Sequence, residues 1–155
     1  MTNYIEETYG NKVRVRVCGL LYYDESLLLI KHNLDGKTLW GPPGGEPIFG
    51  ESLTETLTRE FKEETYLDIE PGEFLFLTEH INPPLHAIEL FYKINSYRGI
   101  PRVGSDPELP RVKTLVEVAF VDESKLAAIS TESRHAILKN CTNPIQLLDK
   151  RGYLK

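Results

Sequence analysis

Between Trp40 and Gly45 the chain reads WGPPGG, and no other stretch restricts the fold as much. Its two prolines lack the N–H that a helix interior or a sheet ladder requires, and its glycines admit dihedrals closed to other residues. A helix cannot run through it, so the segment must be a shaped loop or a short bulged strand edge. From Glu51 the pattern becomes helical: in ESLTETLTREFKEETY, Leu53, Leu57 and Phe61 recur every four residues and form one apolar stripe. Thr54, Thr56 and Thr58 weaken the propensity slightly, while good helix formers fill most other positions.

The flanks read mainly as strands. In KVRVRVCGLLYY, Lys12 to Tyr23, valines alternate with Arg14, Arg16 and Cys18, the period of a strand with one buried face. Asp24, Glu25 and Ser26 make a turn, and Leu27 to His32 a second strand, expected to pair with the first as a hairpin. Beyond Pro71-Gly72, EFLFLTEHI and LHAIELFYKINSY are strands separated by Asn82-Pro83-Pro84, and Val112 to Val121 is another. Gly99 to Pro110 is the longest candidate loop, long enough to close over a ligand. Near the C-terminus, DESKLAAI reads as a short helix, SRHAILKN as a longer one, and Pro144 as the start of a last helix through Leu148. This order predicts an α/β (α+β) sandwich with a mixed β-sheet between helices, one domain spanning residues 1–155, and no internal repeat.

A chain of 155 residues can bury roughly two-thirds of its unfolded surface as one domain. With 41% hydrophobic and 26% charged residues, it fits neither a fibrous nor a disordered class. A net charge of -5 argues against a stable nucleic-acid partner or an acidic membrane, since both depend on phosphate neutralisation by Lys and Arg. The opening residues lack a signal-peptide pattern and no apolar run approaches the roughly 20 residues of a membrane span, so a cytoplasmic location is expected. Cys18 and Cys141 show no metal or redox spacing and read as structural thiols. His32, His80, His86 and His135 likewise show no compact ligand spacing.

On the predicted helix, Glu60 shares a face with Glu63 and Glu64. Like charges at i,i+4 oppose helix formation by a few tenths of a kcal/mol (approximately), unless a cation joins them. Mg²⁺ takes oxygen ligands and commonly links carboxylates to substrate phosphates. A divalent-metal site for phosphate chemistry is therefore the leading reading, against a merely solubilising helix face. Arg59, four residues before Glu63, is placed to hold that carboxylate by a charge-assisted bond. Glu51 lies about 12 Å of axial rise before Arg59, so contact requires Glu51 to stand on a bent helix entrance.

The segment Gly45 to Leu67 resembles the Nudix box, in which a glycine is followed by Glu and then by Arg-Glu-apolar-x-Glu-Glu-x-Gly-apolar. The matching residues are Gly45, Glu51, Arg59, Glu60, Phe61, Glu63, Glu64 and Leu67, with Trp40 and Pro43-Gly44 in the approach. Tyr66 stands where the family has glycine, so either it accepts a left-handed conformation or the helix closes differently, with Asp68 helping the turn. The resemblance implies a Nudix-like sandwich and a hydrolase that cuts a phosphoanhydride with Mg²⁺ or Mn²⁺. It implies that Glu60 and Glu64 bind metal, that Glu63 binds metal or orients water, and that the Gly44 or Gly45 carbonyl adds a ligand. Arg59 would organise the carboxylates, and Glu51 would support the loop or join a second metal set. Glu63 aside, the general base has outside candidates in Glu46, Glu108 and Glu117.

The partner implied is a phosphorylated nucleotide, first of all an ADP-ribose-like nucleotide sugar, since Pro83 and Pro84 fall about where some ADP-ribose hydrolases of the family carry a proline. A nucleoside triphosphate or dinucleoside polyphosphate pyrophosphohydrolase is the alternative, and a non-catalytic nucleotide-sensing module the third reading. Phe91, Tyr92 and Tyr97 are candidates to stack on a base, though strand packing explains them better, and Arg98 and Arg102 are candidates for phosphate or ribose. Tyr4 and Ile5 cover a sheet edge within the chain or contact a second subunit, which leaves a homodimer open.

Overall fold

The computed structural model describes residues 4–34, 36–105 and 114–154. Elements in chain order are α1 (Tyr4–Tyr9), β1 (Lys12–Leu20), β2 (Tyr22–Tyr23), β3 (Ser26–Leu34), β4 (Lys37–Gly41), β5 (Gly44–Gly45) and α2 (Leu53–Thr65). These are followed by β6 (Asp68–Asn82), β7 (Leu85–Arg98), β8 (Leu115–Val121), α3 (Glu123–Ala127), three short 3₁₀ segments and β9 (Gly152–Leu154). The result is a mixed α/β fold. Strands form a mixed five-stranded sheet in the order β5-β1-β7-β6-β9 and a four-stranded sheet in which β3 pairs with β2, β4 and β8.

The alternation of Lys12–Leu20 is realised as a strand, but its partners differ from the expected hairpin. β1 pairs in parallel with β7 over its whole length and antiparallel with Gly44–Gly45, and only Tyr22–Tyr23 turns back onto β3. Asp24 and Glu25 both take positive φ in that turn, 49° and 61°. The strand after the box starts earlier than its apolar run suggests, at Asp68, and crosses Pro71-Gly72 through register shifts against β7. Such bulges let a strand carry a proline without losing its pairing. Pro83 and Pro84 close the β6–β7 turn, where the Pro84 carbonyl accepts the Asn11 N–H at 2.8 Å.

The longer helix predicted over SRHAILKN is replaced by 3₁₀ turns at Thr131–Ser133 and Ala136–Leu138. Arg134 supplies the reason: its guanidinium donates to the carbonyls of Ile129, Leu126 and Leu138, which ties the segment to α3. The last predicted helix is a 3₁₀ run, Pro144–Asp149, capped by Asn143 and Gln146. Helix α1 and strand β9 carry no strong periodicity and escape sequence reading. The side chains of Tyr4 and Ile5, and residues 106–113 with Glu108, lie outside the described residues. No described helix is long and apolar enough to cross a membrane.

Two cores flank the central sheet. Leu20, Leu27, Leu29, Phe76, Phe91 and Leu138 belong to one, in which the Phe76 and Phe91 rings stack at 4.7 Å. The other joins α2 to the sheet through Val17, Leu57, Phe61, Leu67 and Ile94, all buried. Complete burial of Leu57 and Phe61 contributes roughly 1.5–3 kcal/mol each. Gly19 allows that approach: a Cβ there would lie 2.5 Å from the Phe61 ring and 2.8 Å from Ile94. Helix α2 is thus pressed against β1, with Glu60 and Glu64 turned to Gly45 and Gly44, which pair with that strand.

Candidate active site

The site is assembled from the entrance to α2. Ser52 caps the helix, accepting the Glu55 N–H at 3.1 Å, while the Glu55 carboxylate accepts the Ser52 N–H at 3.2 Å. This reciprocal cap places the start at Leu53 and leaves Glu51 in the bend ahead of it. Glu51 then folds back. Its carboxylate receives Arg59 Nε at 2.9 Å and Nη2 at 3.1 Å, the Thr56 hydroxyl at 2.6 Å and the Ile48 N–H at 3.1 Å. Hydrogen bonding from Arg59 first, aided by Thr56 and the Ile48 N–H against a cost of desolvation, holds the Glu51 carboxyl down at about 2.

The same guanidinium serves the helix. Arg59 Nη1 donates to Glu60 Oε1 at 2.9 Å and to Glu63 Oε2 at 3.2 Å, and Nη2 donates to the Glu46 carbonyl at 3.1 Å. Arg59 is therefore the hub of Glu51, Glu60, Glu63 and the post-glycine loop. Glu64 faces elsewhere along the loop: Gly44 N–H donates to its Oε1 at 3.0 Å. Glu60 and Glu64 are both 2% exposed, an uncommon depth for carboxylates. Glu60 lies against Gly45 so closely that a Cβ at that position would overlap its carboxylate, with Oε2 at 2.9 Å. Gly45 is thus required as a cradle.

These donors suit a hard divalent cation in kind, being carboxylate oxygens beside glycine backbone. As they stand, no group of three or more His, Cys, Asp or Glu among the described residues forms a ligand cage. The reason is visible: Arg59 stands between Glu60 and Glu63, and Glu64 is turned to Gly44. A cation would have to take over those partners.

Beside the carboxylates the central sheet carries a polar cleft. Arg14 and Arg16 share one face of β1 with Cys18, and β7 places Ala87, Glu89 and Phe91 next to them. Arg14 pairs with Glu46 and stacks over Tyr9 at 4.0 Å, which joins the cleft to the Arg59 network through Glu46. Glu89 is 4% exposed, with His135 Nε2 at 3.0 and 3.1 Å and Arg16 Nη1 at 3.5 Å. Burial alone would raise its carboxyl, but His135 and Arg16 outweigh that and hold it at about 2. Arg14, Arg16, His80, Glu89, Arg134 and His135 are among the residues lining a cavity of about 260 Å³. A second one, about 410 Å³, shares His80 and Glu89 and continues toward Lys150 and Tyr153.

Sequence reading found the box and missed this cleft. Glu89 is its available signal, one acid inside the apolar run HAIELFY, and the partly buried His135 is its partner. Among the other candidates, Phe91 packs in the core, Tyr92 and Tyr97 pack against the α2 core, and Arg98 is exposed. Arg102 lies over the Tyr66 ring at 4.4 Å. Glu46 pairs with Arg14 of the cleft, whereas Glu117 is exposed on β8 opposite Lys31. Tyr66 accepts the left-handed conformation, φ 64° and ψ 13°, and its N–H closes onto the Lys62 carbonyl. Lys62 and Asp68 bridge the exit at 3.2 Å.

A family model described as NUDIX domain matches residues 12–138. Among curated proteins the chain is similar to phosphatase NudJ of Escherichia coli (strain K12), 31% identical over 86 residues, which cover 51% of this chain and 56% of that protein. The chain thus spans about half the length of the curated relatives it matches. Among solved structures it resembles a NUDIX hydrolase from Nitrosomonas europaea, with a TM-score of 0.71 and 17% identity, covering 90% of this chain and 93% of that one. It also resembles a MutT NUDIX hydrolase from Burkholderia pseudomallei, with a TM-score of 0.62 and 24% identity, covering 73% and 85%.

Proposed function

The chain belongs to the NUDIX domain family, and from that premise we propose that residues 1–155 act as one metal-dependent hydrolase of phosphoanhydrides in nucleotide-derived substrates. The observation that carries the reading is the Arg59 hub, which holds Glu51, Glu60 and Glu63 and is joined through Glu46 to Arg14 of the cleft that Arg16 and Glu89 also line. Glu60, Glu63 and Glu64, with the Gly45 carbonyl, are the residues that would hold Mg²⁺ or Mn²⁺. When bound, such an ion supplies charge neutralisation and Lewis acidity at a phosphoryl oxygen.

The chain's own residues do the rest. Glu63, the half-exposed member of the trio, orients the attacking water and accepts its proton, while Glu60 and Glu64 are fixed from behind by Gly45 and Gly44. Arg59 holds Glu60 and Glu63 in register through its Nη1. Arg14 and Arg16 meet the substrate's anionic portion, and the buried Glu89–His135 pair meets polar groups of the nucleoside or the attached sugar. The first substrate class is an ADP-ribose-like nucleotide sugar, cleaved to a nucleoside monophosphate and a sugar phosphate.

The test is a product-resolved screen of ADP-ribose, other nucleotide sugars, dinucleotides and triphosphates with Mg²⁺ and Mn²⁺. Glu63→Gln should lower turnover at least about tenfold with the fold intact. Cleavage confined to triphosphates or dinucleotides would replace the sugar-nucleotide assignment. Nucleotide binding without product from any class would replace hydrolysis by sensing.

A further inference from the structure

Helix α2 ends at Thr65, so the carbonyls of Lys62, Glu63, Glu64 and Thr65 have no partner within the helix. All four are nevertheless occupied. Tyr66 N–H takes the Lys62 carbonyl at 3.1 Å, and the segment leaving β7 takes the others. Arg102 N–H donates to Thr65 at 3.0 Å, Gly104 N–H to Glu64 at 2.9 Å and Ser105 N–H to Glu63 at 2.9 Å.

This strap runs unusually close to the helix. A Cβ on Gly104 would overlap the Glu63 carbonyl oxygen and lie 2.8 Å from the carbonyl carbons of Glu63 and Glu64. Only glycine fits there. The strap is fastened from outside by Arg102, whose guanidinium carbon lies 4.4 Å from the centroid of the Tyr66 ring. Tyr66 occupies the position at which a glycine would make the same left-handed turn more easily but would offer no ring.

We propose that Tyr66, Arg102 and Gly104 form a clamp that positions Glu63 and Glu64 for metal and water. The proposal rests on the reading of those two carboxylates given above. The last turn of a helix ordinarily frays, and here it carries two of the three carboxylates assigned to the metal. Binding its carbonyls to the strap fixes the backbone from which both side chains project. The Tyr66 departure from the family pattern is then a coupling element: the ring holds Arg102, Arg102 holds the strap, and the strap holds the turn.

The experiment compares Tyr66→Gly, Arg102→Met and Tyr66→Phe in the full chain. Amide hydrogen exchange at Gly104 and Ser105 is read without metal, Mn²⁺ affinity by electron paramagnetic resonance, and kcat and thermal midpoint alongside. Tyr66→Gly and Arg102→Met should speed exchange and weaken Mn²⁺ by about tenfold, the scale of lost support around a metal ligand, with kcat falling in step. Tyr66→Phe should match the unmodified protein. Tyr66→Gly also relieves a left-handed side chain, so its thermal midpoint should hold while affinity drops, a divergence a purely structural contact would not give. Unchanged exchange in Tyr66→Gly and Arg102→Met, or faster exchange with unchanged Mn²⁺ affinity, overturns the clamp. A protein that binds Mn²⁺ and shows these variant effects, yet hydrolyses nothing in the screen, upholds the clamp and removes the hydrolase. Absence of Mn²⁺ binding in the unmodified protein removes both.

Discussion

Arg59 grips Glu51 across eight residues, with Nε at 2.9 Å from one carboxylate oxygen and Nη2 at 3.1 Å from the other. An ideal helix would hold these residues apart; the bend before Ser52 brings them together. The two-point grip spends the planar fork of the guanidinium on Glu51 and leaves Nη1 for Glu60 and Glu63. Lysine offers one ammonium and no fork. Arg59→Lys should therefore lower unfolding stability by about 1–3 kcal/mol and turnover at least about tenfold. Urea unfolding and steady-state kinetics read the two effects, and an unchanged unfolding midpoint would refute the hub.

Gly44 and Gly45 should separate fold from function. A Cβ on Gly44 would overlap the Val17 carbonyl and come within 2.8 Å of the Cys18 Cα, whereas one on Gly45 meets Glu60. Gly44→Ala should cost roughly 1–3 kcal/mol of stability through the β1–β5 pairing. Gly45→Ala should reduce turnover at least about tenfold by displacing Glu60, with a smaller loss of stability. Equal thermal losses and equal activity losses in both variants would show that the two glycines do one job.

Acid should destabilise the protein in two stages. Burial first, then Arg16, lowers the His32 imidazole from 6.5 to about 4, so the folded state binds fewer protons than the unfolded chain in that window. This contribution is fully present above pH 6.5 and is lost as the pH falls toward 4. Glu51 and Glu89, lowered from 4.5 to about 2, contribute above 4.5 and lose their effect as pH falls toward 2. Denaturant midpoints measured from pH 7 to pH 3 should fall with acid, and His32→Gln should flatten only the upper stage. A midpoint that rises on acidification contradicts this ordering.

The two thiols should be inert in the folded chain. Cys18 is 1% exposed, and burial, partly opposed by Arg16, pushes its thiol far up; burial raises Cys141 as well. The thiolate is the reactive form, so an aromatic disulfide reagent should label Cys18 only after unfolding. Rapid labelling of Cys18 under native conditions would show that β1 opens locally.

What the sequence revealed were features that short-range geometry enforces. Leu57 and Phe61 announce the apolar stripe of α2, and the spacing of Glu60, Glu63 and Glu64 announces the acidic face beside it, though not that Glu60 and Glu64 are buried with the stripe. The valines of β1 announce a strand, yet its partner β7 lies more than seventy residues away, and no local pattern carries that pairing. The cleft was hidden for the same reason. Arg14 and Arg16 look like solvent-facing residues until Glu89 and His135 are brought across from distant segments. Arg134 illustrates a third limit: it satisfies three backbone carbonyls by tertiary contact, which overrides the helical signal of SRHAILKN.

β1 has two working sides, one bearing Arg14 and Arg16 in the cleft and the other receiving Phe61 at Gly19. Because successive residues point in opposite directions, exchanges at positions 14 and 16 leave the seat of α2 untouched. On the function proposed above, selectivity at position 16 can therefore be altered by mutagenesis without disturbing the seat of the helix that carries the box acids.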